Sequence, residues 1–214
     1  MKIDMHVHTR HSKRCGWMSP NLLIKNAIEK GLDGLAVTDH NTIEGAMEVW
    51  DIVRDEDLDL EVIIGEEIST DRGEILAYFI NEVIDPGPFE DVIAAIRRSG
   101  GVSAVPHPFD KIRKGFSGME EVLGEVDAIE VINSRCLFNK RALDLCLDRK
   151  KPMLGGSDAH FYGEVGRGWT EFPDDRRRSI LEGRTRAGGG LSNPAYLALT
   201  KGVKLWRKAT SGSV

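Results

Sequence analysis

Short apolar runs alternate along the chain with longer segments in which apolar residues recur at helical spacing. Runs of this kind predict β-strands, and the longer segments predict amphipathic helices. The predicted strands are residues 3–7, 34–37, 61–64, 74–80, 102–105, 128–132 and 153–154. The predicted helices are residues 20–31, 42–53, 88–99, 118–123, 138–148 and 174–181. Strands and helices that alternate in this way favour a parallel sheet covered by helices.

Such a sheet can close in two ways, as an open doubly wound sheet or as a barrel. A doubly wound nucleotide-binding sheet carries a glycine-rich loop after its first strand, and the sequence after residue 7 has no such loop. Polar residues instead follow almost every predicted strand, which is typical of a barrel with a site at one mouth. The pattern therefore favours a barrel.

The gross composition is that of an ordinary globular protein. A chain of 214 residues with 41% hydrophobic content can form the core of one domain. No segment approaches the roughly 18 consecutive apolar residues that a membrane span needs. Cys15, Cys136 and Cys146 form no CxxC pair, and Asp4 stands where a secretion signal would be apolar. We therefore expect a cytoplasmic protein with reduced cysteines.

Charge is divided unevenly along the chain. The net charge is −5, but from residue 176 onward nine lysines and arginines accompany one acid, Glu182. The first 175 residues are therefore strongly acidic, and a bare acidic surface would repel nucleic acid. If the carboxylates converge, bound cations would offset part of this negative charge.

Side chains of the metal-binding type collect at the ends of the predicted strands. Residues two apart in a strand share a face, so the H-x-H pair of the first strand and the D-x-H pair of the last can each enter one cavity. A lone histidine is more often a core or surface residue than a ligand, but two such pairs with further strand-end candidates predict a metal site. Imidazoles mixed with carboxylates suit zinc, manganese or iron. The strand-end candidates are His6, His8, Asp39, His40, Glu66, Glu67, His107, Asn133, Asp158 and His160.

An ordered set of motifs runs through most of the chain: DMHVHTRHS, AVTDHNT, GEEIS, PHP after a strand, and GSDAH. From about residue 2 to residue 173, this set resembles the PHP family, named for polymerase and histidinol phosphatase. The resemblance implies an α/β fold of a particular kind, a distorted seven-stranded (β/α) barrel of the TIM-like type. It also implies two or three divalent metal ions and the hydrolysis of phosphate esters.

The same resemblance implies which residues bind metal. The implied ligands are His6, His8, His40, Glu67, His107, Asp158 and His160. Glu67 would bridge a first metal to a second one, which His107 also binds. His40 and His160 would hold a third position.

Two departures from the family pattern leave alternatives open. Many members have an acid in the loop after the second histidine, where this chain has residues 11–16. His11 or Cys15 would supply that ligand, or the third metal is absent. Many members also have Gly-His where this chain has Gly73 and Glu74. Glu74 would either bind metal through oxygen or face the solvent.

The chemistry of such sites assigns expected roles to nearby residues. Two divalent ions roughly 3.5–4 Å apart lower the pKa of a bridging water, and the metal-bridged hydroxide attacks phosphorus. Asp39 and His160 are candidates for handling the proton. Asp4 or Asp39 would instead orient a ligating imidazole from behind the ligands, and Asn133 lies among the strand-end residues that could do the same.

Two arginines are candidates for binding the substrate phosphate, because a guanidinium matches phosphate oxygens bidentately. Arg135 stands two residues past a strand end, and Arg167 stands in the loop after the last ligands. The alternative for each is a solvated surface arginine.

The C-terminal segment differs in character from the rest. We predict a barrel domain over residues 1–186, followed by a tail over residues 187–214. The tail begins with a flexible glycine-rich join, so its helix need not be docked. Because every implied ligand precedes residue 195, deletion of residues 195–214 is predicted to leave monoester hydrolysis largely intact.

Within the tail, Leu199, Val203 and Trp206 recur at helical spacing beside several lysines and arginines. One interpretation is a terminal helix that packs these apolar residues on the barrel. The other is a basic surface that binds nucleic acid or acidic lipid.

Three functions are compatible with these features. The leading hypothesis is a phosphatase for a small phosphomonoester, a nucleotide or sugar phosphate. A second is a 3′–5′ exonuclease or other phosphodiesterase, favoured only by the basic tail. A third is a metal-binding regulatory module without catalysis, which the complete ligand set disfavours. The sequence names neither the substrate nor the oligomeric state.

Overall fold

A computed structural model describes residues 1–113 and 115–211, and within them nine strands form one sheet flanked by seven α-helices. The strands are β1 (Lys2–Val7), β2 (Gly34–Val37), β3 (Glu61–Ser69), β4 (Glu74–Tyr78), β5 (Val102–Val105), β6 (Ala128–Asn133), β7 (Met153–Gly156), β8 (Gly168–Glu171) and β9 (Arg186–Gly189). The helices are α1 (Pro20–Glu29), α2 (Glu44–Asp55), α3 (Phe89–Arg98), α4 (Met119–Val122), α5 (Asn139–Arg149), α6 (Arg176–Leu181) and α7 (Ala195–Ser211). A turn of 3₁₀ helix, Tyr162–Glu164, follows β7.

The sheet runs in the order β7-β6-β5-β4-β3-β2-β1-β8-β9 and curls into a nearly closed barrel. Neighbours are parallel from β1 to β3 and from β5 to β7, whereas β4 is antiparallel to both of its partners. Val7 forms a bridge to Ala159, and the Asp158 amide donates to the His6 carbonyl at 2.7 Å, which brings the loop after β7 against β1. Six strands of common direction therefore end at one mouth, where ligands bind in barrels of this kind.

Three apolar clusters hold the barrel together. One is drawn from β1 to β7, includes Met5, Leu76 and Tyr78, and fills the interior. A second packs α1 and α2 against β1, β2 and β3. The third packs α3, α4 and α5 against β4, β5 and β6. Because side chains alternate across a strand, the same strands supply both the interior and the helix-covered face.

The barrel prediction is confirmed, but the strand number is nine rather than seven. The two missed strands, β8 and β9, are short and rich in glycine or charge, so they carry no apolar alternation. They pair as an antiparallel hairpin next to β1. A Cβ atom on Gly189 would lie 2.3 Å from the Arg167 carbonyl oxygen, so glycine permits this close pairing. Part of the predicted join is thus a strand of the sheet.

The helix predicted in the tail is present as α7, but a different face of it is turned inward. Thr200 is buried, whereas Leu199 is 52% and Trp206 is 57% exposed. Polar contacts therefore help to dock α7. Of the three apolar residues expected to pack on the barrel, Val203 is half-buried, whereas Leu199 and Trp206 are more than half exposed. The ring of Trp206 still meets that of Trp17 edge-on, with centroids 6.4 Å apart. No helix in the described part of the chain is both long and apolar enough to cross a membrane.

Candidate metal centre

Two histidines at the mouth face each other, and each also faces two carboxylates. The Nε2 atoms of His6 and His8 lie 3.1 Å apart. Glu67 Oε2 lies 3.4 Å from the first and 3.3 Å from the second of these nitrogens. Asp158 Oδ1 lies 3.8 Å and 3.3 Å from the same two nitrogens. We call these residues the four-ligand group.

The separations of these carboxylate oxygens from the two imidazole nitrogens match those around a metal ion. Bonds of about 2.0–2.1 Å in a tetrahedral arrangement place ligand atoms roughly 3.3 Å apart. The protonation pattern agrees, because His6 Nδ1 lies 3.0 Å from Glu130 Oε1 and His8 Nδ1 lies 3.1 Å from Ser12 Oγ. If each Nδ1 carries the proton of a neutral imidazole, both Nε2 atoms are unprotonated. Their lone pairs then face each other and two carboxylate oxygens, and this concentration of negative charge attracts a cation.

Without a bound metal ion, the same negative charge favours a proton on His6. Burial opposes a charge on His6, but Glu67, Glu130 and Asp158 outweigh it and raise the pKa of His6 well above its usual value. For Asp158, burial is likewise outweighed by Arg113 and His6, which hold its pKa well below the usual range. The four-ligand group thus carries ionised carboxylates.

A second group adjoins the first through Glu67. His40 Nδ1 lies 3.0 Å from Glu67 Oε2 and 3.5 Å from Glu74 Oε1. His107 Nε2 lies 3.2 Å from Glu67 Oε1 and 3.8 Å from Glu74 Oε2. Of the two alternatives for Glu74, the position therefore favours an oxygen donor. β4 starts at Glu74 and runs antiparallel to its neighbours, so its first residue lies at the mouth where they end.

A third group consists of the imidazoles of His8, His40 and His160. One ring nitrogen of each lies within 4.8 Å of the others. All seven ligands implied by the sequence resemblance therefore meet at one mouth, together with Glu74. His11 and Cys15 take no part in these groups within the described residues. His11 instead contacts Glu48 and Glu44 of α2 at 2.6 and 3.2 Å, and Cys15 is a buried free thiol.

Local backbone conformation turns two ligands into the mouth. His107 and Asp158 have φ angles of 31° and 56°, in the left-handed region that few non-glycine residues adopt. Strained residues of this kind concentrate at functional sites. Gly156 leaves the space that the His6 ring needs, because a Cβ there would lie 2.4 Å from the His6 Cβ.

Glu130 on β6 is the residue that the sequence analysis missed behind the ligands. Its Oε1 faces His6 Nδ1 at 3.0 Å, and its Oε2 accepts from the His107 amide at 2.8 Å. Asn133 donates through Nδ2 to Glu130 at 2.8 Å and to Asp158 at 3.2 Å. A carboxylate behind a ligating histidine fixes its tautomer and orientation. The sequence did contain a signal for this role: Glu130 is a single charged residue inside the otherwise mostly apolar strand AIEVIN, where a charge is buried.

Asp39 and Asp4, the two aspartates predicted near the ligands, accept hydrogen bonds from neighbouring loops. Asp39 Oδ1 accepts from the Thr9 amide at 2.7 Å and from Ser12 Oγ at 2.6 Å. Because Ser12 Oγ also faces His8 Nδ1, Asp39 lies in line behind that imidazole, and its position favours orientation over proton transfer. Asp4 accepts from the Ser157 and Gly166 amides, both at 2.8 Å, and burial raises its pKa to about 6.

The arginines occupy different positions from those expected. Arg135 is buried, and His160, Thr200 and Glu164 surround its guanidinium. Arg167 is exposed, and no contact of its side chain with the ligands is found in the described part of the chain. A third arginine, missed in the sequence, reaches the site: Arg113 contacts Asp158 Oδ2 and donates to Asn133 Oδ1 at 3.2 Å.

Comparison with known proteins places this geometry in a family. The profile of the PHP domain matches residues 4–135, more than half of the chain. The chain belongs to the PHP family. A PHP-associated segment matches residues 137–185 of this PHP chain and contains two of the candidate ligands, Asp158 and His160.

Similar proteins are known from an archaeon and a bacterium. Two uncharacterised proteins of Methanocaldococcus jannaschii are 35% identical over 144 residues and 34% identical over 184 residues. These alignments cover 63% and 81% of this PHP chain, and 82% and 71% of the relatives. A solved two-domain protein of Bacteroides vulgatus, which contains a predicted PHP-like metal-dependent phosphoesterase, aligns with a TM-score of 0.70 and 21% identity. That alignment covers 94% of this chain and 68% of the other, and shows the shared fold.

We expect Glu130→Gln to weaken metal binding without unfolding the barrel. Glutamine keeps the shape, but its amide offers one acceptor where the carboxylate serves His6 and the His107 amide with two. Loss of such a partner typically lowers metal affinity about 10–100-fold. Titration with Zn²⁺ by calorimetry measures the change, with the exposed strand residue Glu171→Gln as the matched control. Equal affinity in both variants would contradict the role given to Glu130.

Proposed function

We propose that this PHP protein hydrolyses small phosphomonoesters, of the nucleotide or sugar-phosphate type, with divalent metal ions bound at the mouth. The observation that carries the proposal is the position of Glu67. Its Oε2 faces His6 and His8 at 3.4 and 3.3 Å, whereas its Oε1 faces His107 at 3.2 Å. Oε2 also lies 3.0 Å from His40 Nδ1, so this one carboxylate contacts candidate ligands of both groups. A carboxylate in this position suits a pair of adjacent metal ions, the arrangement used by many phosphatases.

The residues present fit such ions. Imidazole and carboxylate ligands in this mixture suit zinc, manganese or iron. Bound there, these ions would polarise phosphoryl oxygens and make water a nucleophile at neutral pH. Asp39 and Glu130 would hold His8 and His6 in the tautomers that ligation needs, and Asn133 would hold Asp158. We assign His160 to metal binding with His8 and His40 rather than to proton transfer.

Arg113 is the cation that we assign to the substrate phosphate. It lies on the loop after β5, is partly exposed at the mouth, and contacts Asp158 through the oxygen that does not face His8. A guanidinium beside the ligands can bind phosphoryl oxygens bidentately. Arg135 is the poorer candidate, because its side chain is 2% exposed, whereas that of Arg113 is 22% exposed.

The surroundings of the mouth favour a small substrate over a polymer. α7 lies against the loop after β1 through Arg207, which donates to the Ser12 carbonyl at 3.1 Å, and against the loop after β6 through Arg135. It therefore borders one side of the mouth. The acidic first part of the chain also opposes nucleic acid. The basic residues of the tail still make nucleic acid a possible partner, and binding to a labelled oligonucleotide tests this.

The proposal is tested by comparing 4-nitrophenyl phosphate with bis(4-nitrophenyl) phosphate as substrates in the presence of Mn²⁺. We expect the monoester to be hydrolysed with the higher kcat/KM. Asp158→Asn protein, prepared in parallel, controls for contaminating phosphatases. Preference for the diester would overturn the monoesterase proposal in favour of a phosphodiesterase. Hydrolysis of neither substrate by metal-loaded protein would favour a metal-binding regulatory module.

We expect Arg113→Gln to raise KM for the monoester and to weaken inhibition by inorganic phosphate. A hydrogen bond to a charged group contributes about 1.5–3 kcal/mol, so the expected change is roughly 10–100-fold. Arg167→Gln, an arginine exposed beside the same barrel, is the control and separates the two candidate phosphate ligands. Zn²⁺ content is measured in both variants, because Arg113 also contacts Asp158. An unchanged KM with full metal content would exclude Arg113.

The state of the three cysteines is informative about the cellular compartment of the protein. Cys15, Cys136 and Cys146 are buried free thiols. Burial raises the pKa of Cys136 to about 11, which leaves it unreactive. We propose a cytoplasmic location on this basis, and fractionation of cells that express the protein tests it.

A further inference from the structure

Arg135, at the end of β6, is almost completely enclosed. Its side chain is buried, and each of its three guanidinium nitrogens faces a partner. Nη1 lies 2.6 Å from His160 Nδ1, and Nη2 lies 2.6 Å from Thr200 Oγ1 and 3.2 Å from the Tyr196 carbonyl oxygen. Nε lies 3.2 Å from Glu164 Oε1. Two of these partners, Thr200 and Tyr196, belong to α7.

His160 Nδ1 also lies 3.0 Å from the Asp158 carbonyl oxygen. A histidine that binds metal through Nε2 carries its proton on Nδ1 and can donate it to this carbonyl, so the support that Arg135 gives to His160 runs through Glu164. The amides of His160 and Phe161 donate to Glu164 Oε2 at 3.1 and 3.2 Å. Glu164, whose other oxygen pairs with Arg135 Nε, therefore holds the backbone of the loop that carries His160.

α7 is attached to the mouth at two further points. Arg207 donates to the carbonyl oxygens of Lys13 at 2.6 Å and Gly16 at 2.7 Å, in the loop after β1. The ring of Tyr196 stacks on Phe161, next to His160, with centroids 5.9 Å apart. α7 thus connects the loop that follows His8 with the loop that carries His160.

We infer that α7 supports the metal centre and that Arg135 is the positioning residue that links α7 to it. When α7 is docked, Thr200 and the Tyr196 carbonyl satisfy one side of the guanidinium, and the other side pairs with Glu164, which holds the loop of His160. When α7 is displaced, Arg135 loses both partners on α7 and no longer fixes Glu164 against that loop. The inference rests on the proposed metal centre and departs from the expectation that the tail is dispensable.

Thr200→Val tests the link, because valine keeps the shape of threonine and removes the oxygen that Arg135 contacts. Thr200→Ser restores that oxygen. Thr210→Val is the matched control: Thr210 lies on the same helix, and its hydroxyl donates to the Trp206 and Arg207 carbonyls. Co²⁺ is titrated into each full-length variant, and its visible absorption reports affinity and stoichiometry. Amide hydrogen exchange over α7 is followed in parallel.

We expect Thr200→Val to lower Co²⁺ affinity at one site about 10–100-fold, as loss of a supporting partner does. Thr200→Ser should bind as wild type does, and Thr210→Val should be unchanged. Deletion of residues 195–214 should reproduce the loss of affinity in a chain that still melts cooperatively. Wild-type Co²⁺ binding by Thr200→Val or by the deletion variant would overturn the inference. These measurements need no turnover, so failure of the monoesterase assay would leave the link between α7 and His160 standing.

Discussion

Asp158→Asn is expected to abolish phosphoester hydrolysis while the barrel remains folded. Asp158 Oδ1 belongs to the four-ligand group, 3.3 Å from His8 Nε2, and asparagine offers a weaker neutral ligand at best. Loss of a residue behind a ligand typically costs about 10–100-fold, so loss of a charged ligand should cost at least about 100-fold. Asparagine tolerates the φ of 56° at this position, so the backbone need not change.

The measurement is kcat at saturating Mn²⁺, with the thermal midpoint followed by circular dichroism. Asp57→Asn is a close control, because Asp57 also has a positive φ, 51°, but is exposed and distant in sequence from every ligand. Near-wild-type turnover in Asp158→Asn at saturating metal would show that the assigned centre is wrong. Loss of cooperative melting would show instead that Asp158 is needed for folding.

Metal binding is expected to raise the thermal stability of the protein strongly. In the four-ligand group, two carboxylate oxygens each lie 3.3–3.8 Å from two imidazole nitrogens that are themselves 3.1 Å apart, so a cation there relieves repulsion that the fold otherwise bears. Free metal at 1,000 times its Kd stabilises a protein by about 4 kcal/mol. For a chain of this size that corresponds to roughly 8–16 °C in Tm.

Differential scanning calorimetry with Zn²⁺ or with a chelator measures this shift, and Glu67→Gln should lose most of it. The shift should also grow with pH. Because the carboxylates raise the pKa of His6, its proton stabilises the metal-free fold at low pH, and this stabilisation is lost as pH rises through that pKa. Metal must displace the same proton, so it binds more tightly at higher pH. A Tm that is insensitive to chelation at pH 8 would contradict the metal centre.

Much of this architecture follows from local pattern. The strand at residues 3–7 and the pair His6 and His8 at its end are visible together, because a two-residue period determines which side chains share a face. Parallel strands linked by helices all end at one mouth, so ligands separated by up to about 150 residues in sequence could be expected to converge. The motif order then implied the family, which the domain match establishes.

Other features depend on contacts between distant segments that carry no periodic signal. β8 and β9 pair because glycines at 188 and 189 allow a close approach to residues 167–169, not because their residues favour strands. Glu130 supports His6 across 124 positions of sequence. Arg113 enters the mouth from a loop whose polar composition alone resembles solvated surface.

The C-terminal tail illustrates both kinds of feature, those set by local sequence and those set by distant contacts. Its helical spacing predicted α7, because periodicity is a property of the segment itself. Periodicity did not determine which face docks: the apolar spacing pointed to Leu199, Val203 and Trp206, yet Leu199 and Trp206 are more than half exposed and only Val203 of the three is half-buried. The docked face also carries Thr200 and the Tyr196 carbonyl, which accept from the buried guanidinium of Arg135. The sequence by itself determined the barrel, the candidate ligands and the existence of the helix. The tertiary structure decided where the helix binds, because an unsatisfied buried guanidinium costs more than two exposed apolar side chains.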